Sequence, residues 1–173
     1  MMTRQVETTV TYLKMAAAPH DHIHPPTNLK IALIKVEDIP LHYYRYLYNT
    51  VGENYDWIDR KIMSDEELGA EINADGVTVY VAYVGGVPAG YFELDSRHDN
   101  DVWLAYFGIT PQFIGTGIGK WLLHEAIVTA WMSEPASVRV ETCTLDHPRA
   151  LPLYQRMGFV PYERKDKVME VAD

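Results

Sequence analysis

Pro111-Gln-Phe-Ile-Gly115-Thr-Gly117-Ile-Gly119-Lys-Trp-Leu-Leu123 decides the fold. An apolar run, Asp101-Val-Trp-Leu-Ala-Tyr-Phe-Gly-Ile109, leads into it and reads as a central strand buried on both faces. A helical stripe of Ile118, Leu122, Ala126, Ile127, Ala130 and Trp131 leads out and ends by Pro135. The order is strand, glycine turn, helix. Glycines at alternate positions strip side chains from the turn, so its backbone N–H groups face a ligand at a helix N-terminus. Unsatisfied donors and the helix dipole attract anions there. The turn therefore reads as a seat for phosphate, with tight strand-to-helix packing as the plainer alternative.

Spacing removes two nucleotide readings. A Walker A loop places Ser or Thr after its Gly-Lys, whereas Gly119-Lys120 is followed by Trp121. A dinucleotide fingerprint needs a glycine at the sixth position, which is Lys120 counted from Gly115 and Leu122 counted from Gly117.

Working outward, Val77–Val84 and Val87–Leu94 flank Gly85-Gly86, the signature of a tight β-hairpin. Ser64-Asp-Glu-Glu67 is a capping box that opens a short helix ending near Asp75-Gly76. Pro40 starts a helix to about Val51 with Leu41, Tyr44, Leu47, Tyr48 and Val51 on one face. Tyr43, Tyr46, Tyr55 and Trp57 add aromatics that read as core or as the wall of an acceptor pocket. Further upstream, Val6–Met15 and Leu29–Val36 are strands separated by a proline-rich loop, and the expectation is that they pair as an extended hairpin. His20, His22 and His24 in that loop lack the second ligand pair of an ordinary zinc site, so the loop reads as solvated and no metal is expected. Downstream, Ser137–Cys143 is a strand, Pro148 opens a helix that Gly158 stops, and a last strand begins at Phe159.

No repeat or linker interrupts the 173 residues, so one domain over 1–173 is expected. The mixed element order gives an α+β fold, an α/β sandwich with helices on the faces of one sheet. The net charge is −9 and the basic residues are scattered, which argues against nucleic acid and favours a cationic small molecule as partner. Cys143 is the single cysteine, and neither a signal-peptide pattern nor a long apolar span is present. A cytoplasmic protein without membrane contact is the expectation.

The joint pattern resembles the GCN5-related N-acetyltransferase superfamily over most of the chain. Its loop has the form Gln/Arg-x-x-Gly-x-Gly/Ala, here Ile114-Gly115-Thr116-Gly117-Ile118-Gly119, followed by a family-like Lys120-Trp-Leu-Leu123. Ile114 stands where the family has glutamine or arginine, which removes a polar group but leaves the glycines and amides. A second match is Ala150-Leu-Pro-Leu-Tyr154-Gln-Arg-Met-Gly158-Phe159, with His147 where the family has asparagine. The resemblance implies a mixed, mostly antiparallel central sheet flanked by helices, here with an N-terminal two-strand extension. It implies acetyl-CoA as co-substrate, its pyrophosphate cradled by Ile114 to Lys120 and its acyl arm bonded to the strand at Phe107, Gly108 and Ile109, with His147 and Tyr154 also at the cofactor. Tyr154 would be the general acid that reprotonates the coenzyme A thiolate, a step suited to a phenol with an ordinary pKa of roughly 10.

Some members place a glutamate in the central strand, where this chain has Trp103, so the base is sought elsewhere. Glu93 is the nominal base, with Asp101 and Glu141 as other acidic candidates. The function implied is acetyl transfer to a primary amine of a small molecule or peptide by direct attack in a ternary complex. The alternative is a non-catalytic acyl-CoA sensor on the same fold. The N-terminal hairpin would offer a contact for a homodimer.

Overall fold

In a computed structural model describing residues 1–173, seven strands join in one sheet with four α-helices on its faces. In chain order these are β1 (Thr3–Met15), β2 (Ile31–Val36), α1 (Leu41–Gly52), α2 (Asp65–Ile72), β3 (Val77–Val84), β4 (Val87–His98), β5 (Asp101–Ile109), α3 (Ile118–Trp131), β6 (Ser137–Cys143), α4 (Ala150–Arg156) and β7 (Val160–Ala172). The sheet order is β2-β3-β4-β5-β6-β1-β7, antiparallel throughout except where β5 meets β6. The mixed, mostly antiparallel sheet matches the expected fold class.

Local chemistry explains the elements. Gly85 and Gly86 take φ of +57° and +84°, the positive values a two-residue hairpin turn requires. Ser64 and Glu67 form the reciprocal cap: Ser64 Oγ accepts from Glu67 N at 3.2 Å and Glu67 Oε2 accepts from Ser64 N at 2.8 Å. α2 stops at Ile72, short of Asp75-Gly76, because Asn73 caps it and Gly76, at φ +89°, turns the chain into β3.

Two apolar layers sandwich the sheet. On one face α3 contributes Ile118, Leu122 and Ile127, which pack against Leu13, Phe92 and Val140; on the other, Tyr44 and Leu47 of α1 and Leu68 of α2 pack against Val79, Val81 and Tyr91. Burial of this kind stabilises by roughly 25 cal/mol per Å² of apolar surface.

The expected N-terminal hairpin does not form. β2 lies at one edge of the sheet beside β3, whereas β1 inserts between β6 and β7 and is antiparallel to both. The segment 16–30 crosses between them with Ile23 against the α3-side core. Pairing on both edges satisfies the β1 backbone far better than a single partner would, and it buries Val10, Leu13 and Met15. The two-strand extension is thus part of the main sheet, and the dimer contact expected from it loses its basis. No helix is long and apolar enough to cross a membrane.

Candidate active site

β5 and β6 pair over only three rows, Asp101 with Ser137, Val102 with Val138 and Trp103 with Arg139, and then separate. β5 stays bonded to β4 as far as Ile109, so from Leu104 onward its other edge has no strand partner. The opening is a cleft of about 320 Å³. Phe107, Gly108 and Ile109 line it from β5, Thr142 and Cys143 from β6, and His147 and Tyr154 from the segment beyond β6. The central strand is therefore only half-buried here, where complete burial was expected. Gly108 is required because α1 crosses above it: a Cβ there would run into Val51 Cγ1.

The glycine turn closes one end of the cleft through Ile114, Gly115 and Gly119. Gly115 and Gly117 take φ of +84° and +89°, a backbone that L side chains adopt at a cost. Thr116 is tied back to the Phe113 carbonyl by its N–H at 3.3 Å and its hydroxyl at 2.7 Å. The N–H groups of Gly115, Gly117, Ile118, Gly119 and Lys120 have no partner in the chain and stand together at the start of α3. Such a row is a concave donor surface for an anion. Thr116, Gly117, Ile118 and Lys120 do not line the cleft with their side chains; Ile118 is core, and Ile114 is exposed. Pro26 of the crossing segment packs 3.6 Å from where a Gly117 Cβ would lie.

Tyr154 projects from α4 with only 7% of its surface exposed, and its hydroxyl makes no hydrogen bond in the chain. Burial, then the negative charge of Asp146, push this phenol up, so it holds its proton at neutral pH. Asp146 lines the same cleft and was not foreseen. Its Oδ2 accepts from Thr142 Oγ1 at 2.6 Å and Cys143 N at 3.0 Å, and its Oδ1 accepts from Trp57 Nε1 at 3.4 Å. The signal for it in the sequence is a short one, an aspartate placed to close the turn between strand and helix. His147 accepts the Arg149 N–H at 3.0 Å through Nδ1 and packs edge-on against Tyr55.

Glu93 does not line the cleft. It is 1% exposed on β4, where it accepts from Tyr44 Oη and from Arg60 Nη2, the latter at 2.8 Å. Burial pushes its carboxyl up; Arg60 and the Tyr44 hydroxyl oppose that. Asp101 is likewise engaged, with Arg139 at 3.0 Å and Ser137 at 2.6 Å, while Glu141 lines the cleft.

The aromatic residues divide. Tyr44 and Tyr91 are core, whereas Tyr48, Trp57 and Tyr106 meet at ring-centre distances of 5.1 to 5.3 Å and line the cleft. Trp57 reaches this place because Gly52 has no side chain: a Cβ there would lie 2.6 Å from the Trp57 ring. The rings of His22 and His24 stand 4.6 Å apart beside His124 on α3, and no three His, Cys, Asp or Glu side chains converge as a metal site.

A family model described as Acetyltransferase (GNAT) family matches residues 36–159. A search of curated proteins finds no match. Among solved structures, a functionally unknown conserved protein from Staphylococcus epidermidis is similar at TM-score 0.60 and 17% identity, over 96% of this chain and 62% of that one. A putative acetyltransferase from the GNAT family of Novosphingobium aromaticivorans is similar at TM-score 0.65 and 12% identity, over 99% and 68%. AAC(6')-Iy, in complex with the bisubstrate analogue CoA-S-monomethyl-acetylneamine, is similar at TM-score 0.58 and 21% identity, over 76% and 91%. The chain thus spans about two thirds of the length of the first two.

Proposed function

The chain belongs to the GNAT acetyltransferase family, and from that premise we propose that it is an acetyl-CoA-dependent N-acetyltransferase acting on a primary amine by direct attack. The observation that carries this reading is the set of unpaired N–H groups at the glycine turn, whose Gly115 and Gly119 line the same splayed cleft as the unbonded Tyr154 hydroxyl.

These residues fit the co-substrate, which supplies an acetyl thioester when bound. The N–H row would hold its pyrophosphate, and the unpaired edge of β5 at Phe107, Gly108 and Ile109 would bond the arm that carries the acetyl group. A free N–H on that edge stabilises charge growing on the carbonyl oxygen. The amine nitrogen adds to the acetyl carbon, the carbonyl oxygen takes up charge, and on its collapse the carbon–sulfur bond breaks while Tyr154 gives its proton to the departing thiolate. Cleft carboxylates, not Glu93, are available to take the proton the amine loses: Glu141 and Asp146 line the wall.

Cys143 argues for direct transfer over an acetyl-cysteine route. Its thiol is pushed up, first by burial and then by Asp146, which is the reverse of an activated nucleophile. The acyl-CoA sensor is the second reading, supported by the withdrawal of Glu93 from the cleft. Thermal unfolding with acetyl-CoA tests the cradle: ligand at about 100 times its dissociation constant adds roughly 2.7 kcal/mol. Stabilisation by acetyl-CoA and desulfo-CoA, and none by ATP, is the expected pattern; no shift at millimolar cofactor overturns the proposal.

A further inference from the structure

The cleft carries two carboxylates that the reaction as described does not require in a bound state. Asp56 and Asp59 lie in the segment between α1 and α2 and both line the cleft. Neither side chain takes part in a hydrogen bond or ion pair, although the neighbouring Trp57 bonds Asp146 and Arg60 bonds Glu93. Asp56 holds a left-handed backbone, φ +57°, so the chain bends sharply just before Trp57. Between the two aspartates the Trp57 ring packs against Tyr48 and Tyr106, which makes an aromatic wall beside unneutralised negative charge. Burial raises the Tyr48 phenol to about 12, with Asp59 adding to the rise and Arg60 and Tyr106 opposing it.

An aromatic face beside carboxylates attracts an alkylammonium group twice, through the ring quadrupole and through charge. It repels a substrate ending in a carboxylate. The unbonded hydroxyl of the largely buried Tyr154, in the same cleft, marks where the reacting end of the acceptor belongs. Resting on the N-acetyltransferase reading, we propose that the acceptor is a dicationic aliphatic amine, a diamine or polyamine, whose distal ammonium is held by Asp56 and Asp59 against the Tyr48, Trp57 and Tyr106 wall. The reacting nitrogen loses its proton; the distal nitrogen keeps its own and supplies the binding charge.

The test uses matched four-carbon acceptors in a thiol-release assay with acetyl-CoA: putrescine, n-butylamine and γ-aminobutyrate. The expected kcat/KM for putrescine exceeds that for n-butylamine by about tenfold or more, equal to roughly 1.4 kcal/mol, and γ-aminobutyrate is the poorest. In the Asp56→Asn/Asp59→Asn double variant the loss on putrescine exceeds the loss on n-butylamine by about tenfold, and calorimetric binding of putrescine to the protein weakens in step. Stabilisation by acetyl-CoA reports that the variant is folded. Equal rates for diamine and monoamine, or equal losses on both, overturn this assignment while leaving acetyl transfer standing. Absence of thiol release with every amine overturns the assignment and the N-acetyltransferase reading together.

Discussion

Arg60 Nη2 donates to Glu93 Oε2 at 2.8 Å with both side chains out of solvent, and the same guanidinium lies 5.3 Å from the centre of the Tyr106 ring. The ion pair therefore stands behind the aromatic wall and not within the cleft. Burial alone would lower Arg60, but the Glu93 charge raises it, so the guanidinium stays cationic. Removing one partner leaves an uncompensated buried charge, and Arg60→Met is expected to cost about 3–5 kcal/mol in denaturant unfolding. Glu93→Gln keeps an acceptor for Tyr44 and should leave the shape of the pH–rate profile unchanged. Loss of the acidic limb in that variant would return Glu93 to the role of base.

Tyr154 is the group whose chemistry is most exposed to a single-atom test. Tyr154→Phe keeps the ring that packs edge-on against Phe159 and removes only the proton donor. A fall in kcat of about 100-fold or more is expected, within the range for general acid catalysis. Stabilisation by acetyl-CoA should persist. Unchanged kcat would assign the tyrosine to packing.

Gly52 governs the aromatic wall of the cleft without touching the glycine turn. Gly52→Ala sets a methyl group 2.6 Å from Trp57, so the indole must move and its bond to Asp146 is lost. Steady-state kinetics should show a raised KM for the amine with the affinity for acetyl-CoA within about threefold of the parent, a difference under 1 kcal/mol. Equal weakening of both substrates would mean that the substitution disturbs the cleft as a whole.

Asp95 gives the fold a defined acid sensitivity. Burial by itself would raise its carboxyl, but Arg97 bonds it through Nε at 3.0 Å, Nη2 at 2.9 Å and its backbone N–H at 3.0 Å, and His98 adds a contact at 3.1 Å. The net result is a carboxyl lowered from 3.8 to about 2. A depressed folded-state value means stabilisation present above the unfolded value and lost as the pH falls from about 4 to about 2. Because Arg97 is partly open to solvent, the contribution is about 1–2 kcal/mol. Asp95→Asn should lower stability at neutral pH by that amount and flatten its dependence in the acid window, as measured by denaturant midpoints.

The elements set by neighbours in sequence were legible: the Gly85-Gly86 hairpin, the Ser64 capping box and the glycine turn each follow from a few adjacent residues. The position of β1 was not. Alternation in Val6–Met15 marks a strand but carries no record of its partners, and insertion between β6 and β7 depends on residues far along the chain. Glu93 shows the same limit in the site. Its period-two place on β4 assigns it a face, yet only the packing of α1 and Arg60 reveals that this face is closed. Asp146 and Trp57 meet from segments distant in sequence, so neither motif nor spacing could pair them.

Direct transfer requires that the acetyl group pass from acetyl-CoA to the amine with no enzyme-bound acetyl intermediate. Initial rates of thiol release, with acetyl-CoA and putrescine varied together, test it most directly. Release is expected to depend on the amine, to saturate in both substrates and to give intersecting double-reciprocal lines. Release that ignores the amine, or parallel lines that mark a covalent acetyl-enzyme, would contradict it.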